Sequence, residues 1–241
     1  MSTSFQVHTS KDKEQLAQDF ARYFADWANQ QTKLASVALS GGSTPKRFFE
    51  ILATDYRDKI DWSSLLFFWG DDRCVPPDHE ESNYKMANDL FLKQVGVPVS
   101  NIFRVRGEDD PAAEAIRYSE IIEQTLPTEN GLPVFDFMLQ GMGDDGHTAS
   151  IFPDQMELLT NPATCAVATH PVSGQKRVTL TGPVINNAKL IVFLVAGENK
   201  AAKVASVLQK DAESEAYPAT HIQANNGELL WYLDQGAAQL A

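Results

Sequence analysis

The feature that most constrains this chain is a succession of strand-length apolar runs that are nearly continuous rather than alternating, the most apolar being Leu190-Ile191-Val192-Phe193-Leu194-Val195. A strand that is apolar on both sides must be covered on both sides, and parallel strands joined by helical crossovers provide that cover. Ser36 to Ser40, Leu65 to Trp69, Ile102 to Val105, Val134 to Leu139, Cys165 to Ala168 and Arg177 to Leu180 are further expected strands. Helical spacing runs from Lys11 to Gln31 through Leu16, Phe20, Phe24 and Trp27. It recurs from Pro45 to about Leu52 behind an expected Thr44 cap, from the Ser82 cap to about Val95, from Pro111 to Leu126, and from about Lys200 to Leu208. The expectation is an α/β fold: a single doubly wound domain over residues 1–241, Rossmann-like, with a mostly parallel sheet and helices on both faces. The connections at 107–111, 127–133 and 171–176 are too short to separate domains, and no internal repeat is visible.

Charge narrows the partners. The chain of 241 residues has 32 acidic and 20 basic side chains, a net charge of −12. It should repel polyanions, so nucleic acid is not expected as a partner, and any phosphorylated ligand needs its own cationic pocket. The start, Met1 to His8, lacks the basic flank and apolar core of a secretory signal, and no run approaches the ~18 apolar residues of a membrane span. A cytoplasmic protein with no membrane partner is expected. Cys74 and Cys165 lie far apart without a CxxC partner, which argues against a disulfide framework or thiolate metal site and favours small apolar fillers.

Three segments directly after apolar runs carry candidate chemistry. Ser40-Gly41-Gly42-Ser43-Thr44-Pro45 ends a strand and opens a helix, so its backbone N–H groups and hydroxyls can surround a phosphate, with Lys46 and Arg47 adding charge; the alternative is a capped turn without a ligand. Walker spacing is absent. Gly70-Asp71-Asp72-Arg73 brings Asp71 and Arg73 to the same sheet edge. Gly141-Met142-Gly143-Asp144-Asp145-Gly146-His147 matches the dinucleotide fingerprint only formally, because its aspartates would repel a pyrophosphate and it does not lie in the first βαβ unit. Its better use is to present His147 as a water-activating base, with Asp145 holding the imidazole in the proton-accepting tautomer. His8, His79, His170 and His221 have no neighbours at metal-ligand spacing, and no GxSxG elbow supports a serine nucleophile.

The blocks SGGSTP at 40–45, GDDRCVPPDHEESNY at 70–84 and GMGDDGHTASIFP at 141–153 resemble the 6-phosphogluconolactonases, in order and along the whole chain. RVTLT at 177–181 and GENKA at 197–201 look like that family's later phosphate-contacting segments. The glucosamine-6-phosphate deaminases share the fold, but they typically carry a glutamate where this chain has Phe152 and a tyrosine where it has Arg73. The lactonase pattern usually has Glu where Asp72 stands here. The resemblance implies hydrolysis of 6-phospho-D-glucono-1,5-lactone without metal or organic cofactor. His147, Asp145 and Arg73 would be catalytic, Asp71 would hold Arg73 or touch sugar hydroxyls, and Ser40, Gly41, Gly42, Ser43, Thr44, Arg177 and Lys200 would bind the phosphorylated sugar lactone. The competing expectations are a deaminase or isomerase and a non-catalytic sugar-phosphate sensor. The Pro76-Pro77-Asp78-His79 loop is the expected lid, and oligomeric state is left open.

Overall fold

The apolar runs assemble around one parallel sheet in the computed structural model, which describes residues 5–241. In chain order the first strands are β1 (Phe5–Ser10), β2 (Ala35–Leu39), β3 (Leu65–Trp69) and β4 (Asp71–Arg73). A small hairpin follows, β5 (Thr128–Glu129) and β6 (Leu132–Pro133), then β7 (Phe137–Gln140), β8 (Cys165–Thr169), β9 (Lys176–Leu180), β10 (Leu190–Val195) and β11 (Glu228–Asp234). The main sheet has the order β1-β11-β10-β7-β2-β3 with every pairing parallel.

Helices α1 (Lys13–Asn29), α2 (Ser43–Asp55), α3 (Asn83–Ala87), α4 (Lys93–Val95), α5 (Pro111–Thr125), α6 (Gly182–Asn186), α7 (Ala201–Gln209) and α8 (Gln235–Ala238) surround the strands. Successive strand residues point to opposite faces, so the sheet feeds two cores. Val37, Leu39, Phe67, Phe137 and Val192 meet Phe20 and Phe24 of α1 and Phe48 of α2. Ala38, Phe68, Met138 and Phe193 meet Tyr118 and Ile122 of α5 and Val204 of α7. The doubly wound α/β arrangement expected from the apolar runs is therefore present.

Several local expectations need correction. Ile102 to Val105 forms only a single bridge, Ile102 beside Phe67, with Phe103 N donating to Phe67 O at 2.8 Å. The backbone beyond is held by α5 instead, where Glu114 accepts from Arg106 N and Arg117 donates to Arg104 O. The run from Val134 enters the ladder only at Phe137, because Val134 N is bonded to Pro127 O and the Asp136 carboxylate takes Ser36 N and Oγ at 2.9 and 3.0 Å. Thr44 does not cap α2; the helix starts at Ser43, two residues before the expected Pro45, with Gly42 in the cap position and no side-chain cap. Ser82 caps as expected, and its helix continues to Val95 through a π-helical stretch at Asn88–Leu92.

The largest difference is that β8 and β9 leave the parallel sheet and form a separate antiparallel sheet, ordered β4-β9-β8. β1 and β11, which complete one edge of the main sheet, were not anticipated. Part of the amino-terminal reading concerns residues 1–4, outside those described. Among the described residues no helix is long and apolar enough to cross a membrane.

Candidate active site

Strand order reverses between β2 and β7, because the chain runs from β2 outward to β3 and from β7 outward to β10. The carboxyl ends of strands at such a switch point form a crevice, as neighbouring connections diverge. Here the segments following β2, β3, β7 and β10 surround a cavity of about 340 Å³.

The first wall is Ser40 to Thr44. The first-turn amides of α2 have no intrahelical acceptor and no side-chain cap, so they remain available to an anion. Gly41 is required by a close approach: a Cβ there would stand 1.8 Å from Asn83 Oδ1. Asn83 also donates to Asp71 O at 3.0 Å, which ties this loop to β4. Lys200 lines the same cavity and pairs with Asp144 at 2.6 Å, and Asn199 donates to that carboxylate at 2.7 Å. Lys46 and Arg47 do not join the cavity wall, contrary to expectation; Arg47 is drawn away by Glu14 and Glu50 at 2.8 and 3.1 Å.

The second wall comes from β4 and β9. Asp71 and Arg73 share one face of β4, opposite Thr179 and Arg177 respectively, while Asp72 faces the other way. Two guanidiniums side by side repel, and Asp71 offsets this: its Oδ2 lies 4.0 Å from Arg177 Nη1 and accepts from Ser150 Oγ at 2.5 Å. Burial lowers the Arg177 pKa, and Asp71 opposes that effect. Asp71 thus supports Arg177 rather than Arg73, whose Nη1 donates instead to Glu81 O at 2.7 Å. The Nε atoms of both arginines are buried without a partner, which leaves two donors unused beside the cavity.

The third wall carries the histidine. Gly143 N donates to His147 O at 2.9 Å, closing the turn after β7. A side chain at 143 would put its Cβ 2.1 Å from His147 Nδ1 and 2.6 Å from Asp145 Oδ1, so only glycine lets the pair fold over this backbone. Asp145 Oδ1 lies 2.6 Å from His147 Nδ1 and also accepts from His147 N at 3.1 Å. Burial acts to raise the Asp145 pKa, but the hydrogen bonds and charge of His147 outweigh it and hold the carboxyl down at about 2. An ionised carboxylate only accepts, so Nδ1 is the ring nitrogen that donates to it, and Nε2 is the one placed to accept a proton in the neutral ring.

Behind His147 stands Phe152, fully buried. Its ring centroid is 4.8 Å from that of His147 and 5.3 Å from that of His170, with the Arg177 guanidinium 5.4 Å away. The position therefore supplies a wall shared by His147 and an arginine, with no carboxylate. Cys74 is half-buried beside the apolar core, with its thiol pushed up to about 11 chiefly by burial, as befits a filler.

Ser40, Gly41, Gly42, Ser43, Thr44, Asp71, Arg73, His147, Arg177 and Lys200 line this cavity as expected, whereas Lys46 and Arg47 do not and Asp145 lies directly behind its rim through His147. Sequence reasoning missed Lys13, Asn83, Asp144, Ser150 and Asn199. Ser150 and Asp144 fall within the histidine motif and Asn83 within the 70–84 block, so their positions were marked but not their roles. Lys13 had no local signal at all.

A family model for glucosamine-6-phosphate isomerases and 6-phosphogluconolactonase matches residues 11–231. The chain is 49% identical over 171 residues to a 6-phosphogluconolactonase of Treponema pallidum, covering 71% of each chain. It is 42% identical over 228 residues to one of Haemophilus influenzae, covering 94% of each. The solved 6-phosphogluconolactonase of Leishmania guyanensis superposes with a TM-score of 0.87 at 29% identity, covering 98% of both chains.

Proposed function

This chain belongs to the family of glucosamine-6-phosphate isomerases and 6-phosphogluconolactonases, and we propose that it hydrolyses 6-phospho-D-glucono-1,5-lactone to 6-phospho-D-gluconate. The observation that carries the catalytic reading is the 2.6 Å pairing of Asp145 with His147 on the cavity wall, beside a Phe152 that offers no second carboxylate.

The amides and hydroxyls of Ser40 to Thr44 hold the phosphate, with Arg177 and Lys200 countering its charge. This anchoring brings the C1 carbonyl toward His147. Nε2 of His147 takes a proton from water as the water oxygen bonds to C1. The carbonyl electrons move onto its oxygen, where Arg73 stabilises the developing oxyanion. As the carbonyl reforms, the bond from C1 to the ring oxygen breaks, and His147 returns the proton to that leaving oxygen. Asp145 holds the imidazole in one tautomer throughout and supports its transient positive charge.

The test is lactone loss with wild-type protein and with His147→Ala, each corrected for spontaneous hydrolysis. Wild type should turn over and the folded variant should lose about 10²–10⁴-fold in kcat. Near-normal kcat in the variant overturns the base assignment. Absence of wild-type turnover with binding of phosphosugars would point to the sensor, and ammonia release from glucosamine 6-phosphate to the deaminase.

A further inference from the structure

We propose that Lys13 binds the substrate's phosphate, as a cation supplied by the first helix to the loop that follows the second strand. The proposal rests on the lactonase reading and adds to it a residue outside the resembling motifs.

Lys13 lines the same cavity as Gly41 to Thr44 and Lys200. Its Nζ lies 3.4 Å from the point where a Cβ would stand on Gly197, and Gly197 O accepts from Lys200 N at 3.0 Å. Lys13 Nζ therefore reaches the cavity beside the turn that carries Lys200.

Nothing in α1 accounts for a lysine here. Lys13 is the first residue of the helix, where a cation meets the positive end of the helix dipole and is unfavourable. The neighbouring carboxylates are engaged elsewhere: Asp12 accepts from Gln15 N at 2.8 Å, and Glu14 is held by Arg47. Among the described residues no carboxylate lies within ion-pair distance of Lys13.

Lys200, in contrast, enters its encounter with substrate already paired with Asp144 at 2.6 Å. A phosphate dianion reaching the loop must share Lys200 with that carboxylate. Lys13 carries the uncommitted positive charge on this side of the cavity, which a protein of net charge −12 otherwise lacks reason to place there.

The experiment compares wild type, Lys13→Gln and Lys13→Arg in lactone kinetics, and measures 6-phosphogluconate binding by calorimetry. Lys13→Gln should raise KM about tenfold or more with kcat within about twofold, as expected when a charge-assisted bond to a non-reacting phosphate is lost. Its affinity for 6-phosphogluconate should fall by a similar factor, and Lys13→Arg should recover most of both. Removing a cation from the helix start should leave the melting temperature unchanged or slightly raised. A Lys13→Gln variant with wild-type KM and wild-type product affinity overturns the proposal, as does a loss confined to kcat. Should wild type show no lactone turnover, the functional reading fails on its own, and the calorimetric comparison still decides whether Lys13 holds the phosphate.

Discussion

Asp145 gives His147 its chemical polarity. With Nδ1 held against a carboxylate 2.6 Å away, Nε2 is the nitrogen left to accept a proton. Replacing Asp145 by Asn keeps the size but offers an amide that can donate to Nδ1, which leaves the ring proton on Nε2 and removes the base. Asp145→Asn is therefore expected to lower kcat by about 10²-fold or more with little change in KM, read from initial rates. The pH profile tests the same pair. A carboxyl held at about 2 has its charge, and the support it gives the imidazole, fully in place above the ordinary carboxylate range, and loses them only as pH falls through about 2. Asp145 should consequently add no protonation step of its own between pH 4 and pH 7, which carboxyl chemical shifts followed by NMR across that range would check; a titration of the Asp145 carboxyl there would overturn the pairing. Both residues were legible in the sequence because they sit two positions apart on one turn. Lys13 was not, because it reaches the cavity from a helix that precedes the Ser40 to Thr44 loop in sequence and only packs against the Gly197 turn in space.

At the scale of elements, β4 joins two functions through its alternation. Its outer face gives Asp71 and Arg73 to the cavity wall, and its inner residue Asp72 organises α3. Asp72 accepts from Arg73 N at 2.8 Å, Asn83 N at 2.7 Å and Tyr84 N at 3.0 Å, and from Ser82 Oγ at 3.3 Å. It thereby fixes Asn83, whose side chain packs on Gly41 and sets the loop from Ser40 to Thr44. The Asp72 carboxylate acts directly on the α3 amides. Burial pushes the Asp72 carboxyl up to about 6, with the backbone bonds from Tyr84, Asn83 and Arg73 only partly opposing it. A raised carboxyl favours the fold most while it is protonated, so its contribution is fully present below about pH 4 and lost as pH rises through about 6. Urea titrations of wild type and Asp72→Asn should diverge in their pH dependence between pH 4 and pH 7, the wild type losing stability that the variant does not. Parallel curves would refute this. The antiparallel sheet that carries β4 was not legible: Arg177 to Leu180 is buried like any central strand, and apolar content encodes neither strand direction nor sheet membership.

For the whole molecule, the apolar runs, through the cover they demand on both faces, gave the parallel sheet and its helices, while the turns that follow them gave the cavity's main residues. The site depends on β7, which separates the β2 side from the β10 side of the sheet. That strand has few ladder partners, two residues of β2 and three of β10, so side-chain packing must fix its place. Phe137 does this on one face: it is 1% exposed, with its ring centroid 4.7 Å from Trp27, 5.3 Å from Phe24 and 6.3 Å from Phe20. Truncation would remove the ring and leave a cavity where α1 meets the sheet. Phe137→Ala is expected to cost about 3–5 kcal/mol and to lower the melting temperature by about 10 °C. His147 stands ten residues further on, held by its own turn and by Phe152 rather than by Phe137. Rates per folded molecule measured well below the new melting temperature should therefore stay within about threefold of wild type. An unchanged melting temperature would deny Phe137 its anchoring role, and a large loss of rate in fully folded protein would show that the placement of β7 is transmitted to the histidine turn.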